Sequence, residues 1–259
     1  MKDFLFLHIS SLPYFRGFLR AVESSFYQDL TLPAPILDLG CGDGNFAELT
    51  FDCPIDVGLD PWHGPIHEAK QYWKYRLLVE ANAGTMPLPD NWFASVFSNS
   101  VLEHIPNVEQ VLAETRRVLQ PGGLFVFCVP NHNFLPTLSI GKALDKVGLR
   151  SLGNLYRAFF NRISRHYHCD APPVWQARLE QNGFVLEDWW HYFSPQALHV
   201  LEWGHYWGLP SLILHTLFRR WIVVPTRWNL YFIERYLRKF VKEPKHPEGV
   251  YTFYIARKK

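Results

Sequence analysis

The chain has 259 residues, 48% hydrophobic and 19% charged, with a formal net charge of +2. That length and composition fit a soluble α/β domain with a substantial core, and so small a charge gives no argument for a nucleic-acid partner. Cysteines 41, 53, 128 and 169 form no C-x-x-C pair, so they read as reduced thiols in a cytosolic protein rather than as a disulfide framework.

The apolar run Phe4 to Ile9 is interrupted by His8 and lacks a basic leader or a small-residue cleavage site, which makes it a poor signal peptide. Residues 11–30 carry apolar side chains at 12, 15, 18, 19, 22 and 26, a helical period that predicts a helix packed beside a sheet. Tyr14, Phe15 and Arg16 on it are candidate substrate neighbours, against the simpler reading of an amphipathic cover. Ile36 to Leu39 reads as a buried strand entering a turn with glycines at 40, 42 and 44, then a helix opening near Asn45. Such a turn suits a nucleotide, because glycine reaches backbone angles closed to other residues and lets a ligand approach the main chain. Counted from Gly42 the string fits G-x-G-x-x-A, so a dinucleotide is one candidate ligand. Two acids point elsewhere: Asp38 inside the strand end, and Asp60 after a second strand, Asp56 to Leu59, where a carboxylate can accept both ribose hydroxyls. His63 and His67 fall four apart, but Pro65 interrupts the spacing and no third ligand is near, so a surface or rim position is expected. Further strands are expected over Ser95 to Asn99, Leu124 to Val129, Phe184 to Phe193 and Val250 to Ala256, with helices over Val108 to Leu119 and Pro173 to Asn182. Pro121-Gly122-Gly123 reads as a structural turn.

The stretches ILDLGCGDGNFAE from Ile36 and NAGTMPLPDNWFASVFSNSVLEHIPNVEQVLAETRRVLQPGGLFVFCVPN from Asn82 resemble the class I S-adenosylmethionine-dependent methyltransferases, in particular the small-molecule group that includes the ubiquinone and menaquinone biosynthesis enzymes. The resemblance implies one α/β domain over residues 1–259, a Rossmann-like three-layer sandwich whose seven-stranded sheet is mostly parallel with its last strand antiparallel. Residues 1–33 would form an N-terminal helical segment. By the same resemblance S-adenosylmethionine lies over the carboxyl ends of the first strands. Asp38 and Cys41 would belong to the cofactor site, with Gly40, Gly42 and Gly44 lining the methionine and ribose side, Asp60 the ribose, Asn82 and Ala83 the adenine, and Ser98 and Asn99 the methionine moiety. The chain departs from the family at Asn82, where an acidic residue is usual; its carbonyl oxygen can still accept from the adenine amino group.

Two insertions depart from a minimal domain, residues 132–172 after strand five and residues 194–249 before the last strand. The second is helical in pattern, aromatic and locally basic, and its longest apolar run, GLPSLILHTLF, ends at Arg219. That is far short of the roughly 20 residues needed to cross a bilayer. It matches a lid over a lipophilic substrate or a helix lying in a membrane interface, with a helical cap or a dimer interface as the plainer alternative. Candidate bases are His104, His166, His168 and His191 with Tyr192, and the catalytic candidates singled out are His168 and His191. No metal site is expected, since no carboxylate or cysteine completes a set from His166, His168 and His191. The expected function is methyl transfer to a small lipophilic acceptor, in the cytoplasm or at the inner membrane surface. Methylation of a protein or RNA side chain, and a non-catalytic binding role, remain as alternatives.

Overall fold

The computed structural model describes residues 2–208, 213, 216, 217, 221–242 and 244–259. Much of the run GLPSLILHTLF and the two arginines that close it therefore lie outside the described residues.

Seven strands form one sheet in the order β3-β2-β1-β4-β5-β7-β6. They are β1 (Ile36–Leu39), β2 (Ile55–Asp60), β3 (Tyr75–Glu80), β4 (Phe93–Asn99), β5 (Leu119–Pro130), β6 (Phe184–Tyr192) and β7 (Tyr251–Lys258). The first five run parallel, while β7 is antiparallel to both β5 and β6, as the sequence implies. Side chains alternate across a strand, so β5 feeds two cores at once. Leu124, Val126 and Cys128 enter the core beneath the N-terminal helices, and Phe125, Phe127 and Val129 enter the one on the opposite face. β1 lies between β2 and β4, where the strand order reverses, and open α/β sheets bind ligands at such a switch point.

The helix expected over residues 11–30 is two helices, α1 (Phe4–Ser11) and α2 (Tyr14–Tyr27), with Leu12 extended between them. Pro13 accounts for the break, because a proline disfavours helical angles at the residue before it. The Phe4 to Ile9 run is thus a structural helix: Phe4, Leu5 and Ile9 are buried, and His8 Nε2 meets Ser24 Oγ at 2.8 Å. β5 starts five residues earlier than expected, so Pro121-Gly122-Gly123 falls inside the strand, where the register with β4 shifts between Phe93 and Ser95. Helices α3 (Asn45–Thr50), α4 (His63–Ala69) and α5 (Val108–Val118) connect the parallel strands, residues 132–172 fold into α6 (Phe134–Thr137), α7 (Ser139–Lys146) and α8 (Arg150–Ser164), and α9 (Pro172–Gln181) leads into β6. The chain between β6 and β7 holds α10 (Pro195–Trp207) and α11 (Arg227–Val241), of which α11 packs on α1 and α2.

One fully buried carboxylate ties these layers together. Glu23 of α2 accepts hydrogen bonds from Arg20 Nη1 at 2.8 Å, Asn99 Nδ2 at 2.6 Å, Ser100 Oγ at 2.9 Å and the Tyr192 hydroxyl at 3.0 Å. The first donor is on its own helix, the next two lie at the end of β4, and the last ends β6. Removing one member of such a buried network strands the others without partners. Glu23→Ala is expected to lower the unfolding free energy by about 3–5 kcal/mol in a urea titration, with Glu23→Gln retaining part of it. A loss under about 1 kcal/mol, the level of an exposed pair, would contradict that role.

Candidate functional site

The glycine turn is built from β1 outward. Gly40 and Cys41 donate their N–H groups to Leu59 O at 2.7 and 3.1 Å, which locks the turn onto the end of β2. Gly40 has φ +82°, and a Cβ there would lie 2.5 Å from Val101, so both backbone and space demand glycine. Gly42, at φ +55°, has the opposite environment: a Cβ there would meet open space. Asp60 holds the turn from below, its two oxygens accepting from Gly42 N and Trp62 N at 3.0 Å each. Burial raises its carboxyl above the usual range.

Beside this turn lies a cavity of about 300 Å³ lined by Asp38, Gly40, Cys41, Gly42 and Asn99. The sequence singled out all five. Other lining residues it did not: Asp43, Asn45 and Glu68, together with Arg20 of α2. Arg16, read only as a substrate neighbour, lines this cavity too. Asp38 is almost fully buried and accepts from the Tyr75 hydroxyl at 2.6 Å, yet burial pushes its carboxyl up to about 7. A cation beside it would favour its charged form. A lining that holds both acids and arginines matches a ligand with a cationic centre and a carboxylate, as S-adenosylmethionine has.

Five of the expected cofactor residues, Gly44, Asp60, Asn82, Ala83 and Ser98, do not line this cavity. Gly44 packs against Ala69 and Tyr75, and Ser98 Oγ donates to Leu39 O at 2.9 Å, which holds β4 to β1. Asn82 follows β3, exposed, with its side-chain oxygen accepting from Gly84 N at 2.8 Å. That oxygen keeps a second lone pair. Asp60, Asn82 and Ala83 sit at the ends of β2 and β3, the neighbouring strands on that side of the turn.

A second cavity, of about 530 Å³, shares Arg16, Arg20 and Ser100 with the first. Phe15, Leu19, Phe134, Leu201 and Tyr251 supply its apolar wall. Glu103, His104, Ser164, Arg165, His166 and His205 are its further polar residues. Burial raises the Glu103 carboxyl to about 8, and its Oε2 has no hydrogen-bond partner among the described residues. Burial lowers His166 to about 3 and also lowers His104 and His205. The same burial disfavours the protonated form of all three imidazoles and weakens them as bases, His166 most clearly. His104 Nδ1 lies 3.1 Å from Arg165 O. A carbonyl only accepts, so Nδ1 carries the hydrogen and Nε2 keeps its lone pair.

His168 and His191, the catalytic candidates from sequence, line neither cavity. His168 is held by Ile105 O at 3.0 Å and Asp170 at 3.4 Å. His191 is on β6, the outer strand of the sheet, where Nδ1 meets Asn131 and Thr252. Three strand positions separate β6 from β4, which places it away from the switch point. Phe15 and Arg16 do line the second cavity, while Tyr14 lines a separate one of about 790 Å³ between α10 and α11. His205 was missed because it sits in α10 with no motif around it; its ring lies 4.6 Å from that of Phe15. His63 is exposed and pairs with Glu80 at 2.7 Å, as a rim residue would.

Residues 37–127 match the family model described as a methyltransferase domain. The malonyl-[acyl-carrier protein] O-methyltransferase of Geobacter sulfurreducens is 28% identical over 172 residues, 54% of this chain and 62% of that protein. The sterol 24-C-methyltransferase of Pneumocystis carinii is 34% identical over 103 residues, 35% of this chain and 26% of that one. The chain thus spans less than two thirds of either relative. A crystal structure of an S-adenosylmethionine-dependent methyltransferase from Thermotoga maritima, titled as a possible histamine N-methyltransferase, shares the fold with a TM-score of 0.57. At 14% identity over 95% of this chain and 91% of that one, the likeness is one of fold. The matched stretch, the glycine turn inside it and the strand order around it identify residues 37–127 as a methyltransferase domain of the class I, S-adenosylmethionine-dependent kind.

Proposed function

We propose that the chain transfers a methyl group from S-adenosylmethionine to a small lipophilic acceptor held in the 530 Å³ cavity. One observation carries this reading. The cavity at the glycine turn and the larger apolar one adjoin through Arg16, Arg20 and Ser100, so ligands in the two would meet there. In this reading Asp38, Gly40, Cys41, Gly42 and Gly44 serve the methionine and ribose side, Asp60 the ribose, Asn82 and Ala83 the adenine, with Ser98 and Asn99 shaping the floor. The bound cofactor supplies a methyl group that is already electrophilic. The protein's own task is then to align the acceptor, keep water out and receive a proton.

His104 and His166 are the bases this geometry favours, in place of His168 and His191. Both are neutral and both face the apolar cavity. For an oxygen or nitrogen acceptor, His104 would take the proton released as the methyl group arrives, since burial that lowers His166 to about 3 makes that ring a weak base. The apolar wall supports a lipophilic acceptor, and a relative named for a sterol lends weight to it. In this reading the protein works in the cytoplasm or at the inner membrane surface.

Calorimetric titration with S-adenosylmethionine, S-adenosylhomocysteine and NADH tests the cofactor. Both adenosyl ligands should bind, NADH should not, and Asp60→Ala should weaken S-adenosylmethionine at least about tenfold, a change of about 1.4 kcal/mol. Binding of NADH alone would replace this reading with a dinucleotide enzyme.

A pH series gives a second check. With a carboxyl near 7, Asp38 gains its charge as pH rises through neutrality. Affinity for the sulfonium cofactor should therefore climb between about pH 6 and about pH 8, and Asp38→Asn should flatten the profile. An unchanged slope in that variant would remove Asp38 from contact with the cation.

A further inference from the structure

α11 is amphipathic in an unusual sense. At 100° per residue its buried positions, Leu230, Glu234 and Leu237, fall on one side and face α1 and α2. The opposite stripe runs through Trp228, Tyr231, Phe232, Arg235, Tyr236 and Lys239, at the i, i+3, i+4, i+7 spacing of a single face. A solvated face is ordinarily polar, but here Trp228 is 76% exposed and Phe232 83% exposed. Val223 and Val224, just before the helix, are also exposed.

The cations of this helix divide by side. Arg227 and Arg238, on the inner flanks, are both paired with Asp3 and Glu234. Arg235, Lys239 and Lys242 have no carboxylate partner among the described residues. The Lys239 ammonium instead lies over the Tyr236 ring at 4.3 Å and the Phe240 ring at 4.8 Å. The stripe therefore offers large aromatic surface interleaved with unneutralised positive charge.

We propose that the outer face of α11 is a seat for an anionic lipid bilayer, with the helix lying in the plane of the interface. Aromatic side chains enter the headgroup and acyl boundary, and arginine and lysine meet the lipid phosphates. The helix lies on the membrane rather than across it: none of the described helices is long and apolar enough to span one. Beside the stripe lies a 790 Å³ cavity where Trp203, Ile233, Tyr236 and Phe240 mix with Ser194, Gln196, His199, Lys239 and His246, an apolar and polar lining like that of the headgroup boundary. This proposal deepens the reading of a lipophilic acceptor, and its test needs no turnover.

The 259-residue chain is co-sedimented with vesicles of phosphatidylcholine alone and of phosphatidylcholine with about one third phosphatidylglycerol, at low and high salt. Binding is expected to the anionic vesicles, weakening with salt. Arg235→Gln with Lys239→Gln should lower partitioning about thirtyfold, at about tenfold per 1.4 kcal/mol and two basic contacts. Trp228→Ser with Phe232→Ser should abolish it. All four side chains lie on the outer stripe, so S-adenosylhomocysteine titration of each variant reports whether the fold and cofactor site persist. Vesicle binding without adenosyl binding would end the methyltransferase reading and leave the seat standing. The seat is overturned if the wild-type protein stays in the supernatant with anionic vesicles, or if the aromatic variant still sediments. It is equally overturned if sedimentation equilibrium shows a dimer that Phe232→Ser dissociates.

Discussion

The buried carboxylate of Glu23 is the constraint on which the rest of this structure turns. A charge taken out of water is tolerated only when its surroundings replace the lost hydration, and here four donors do so. Those donors come from places that sequence keeps far apart: the same helix, the end of β4 and the end of β6. Satisfying one side chain therefore fixes α2 across the carboxyl ends of the strands. Asn99 and Ser100, which donate to it, also border the cavity at the glycine turn. The N-terminal helix is thereby part of the site's architecture, and it brings Arg16 and Arg20 to the junction of the two cavities.

Desolvation then sets the chemical character of the site. In the larger cavity three histidines have their protonated forms disfavoured, and a carboxyl is held largely neutral by the same burial. Such a chamber joins an apolar wall and imidazole lone pairs to the guanidinium groups of Arg16, Arg20 and Arg165. On the cofactor side the acids retain charge more readily when a cation arrives, and Asp38 is the clearest case. The two cavities thus divide the labour, with polar recognition at the turn and apolar confinement beyond it.

The helices between β6 and β7 relate to this site from outside. α10 contributes Leu201 and His205 to the chamber, while α11 braces α1 and α2 from behind. Because α11 spends its aliphatic positions on that packing, its aromatic and cationic residues are left on the outside. One segment can in this way cover a cavity and present a different chemistry to its surroundings.

The cofactor turn was legible in the sequence because its constraints are local. A strand, a positive-φ glycine and an acid two residues before it are contiguous, and backbone sterics allow few other residues at Gly40. The seven-stranded, mostly parallel sheet with its last strand antiparallel followed from the resemblance, not from periodicity. The break at Pro13 was equally local and was overlooked in favour of the apolar period. Other features were not readable from neighbours in the chain. Which of twelve histidines face the apolar cavity depends on how α8, α10 and the turn after β4 converge, and His168 and His191 were turned to other partners by that convergence. Glu23 looks in sequence like any acid on an amphipathic helix, and the period of α11 reveals two faces without saying which is outward. The chain by itself determined the nucleotide-binding turn, because covalent geometry and backbone angles act over a few residues. Only the tertiary structure decided the acceptor chamber, the buried carboxylate and the outward aromatic face, because burial is a property of the whole packed arrangement and not of any one stretch.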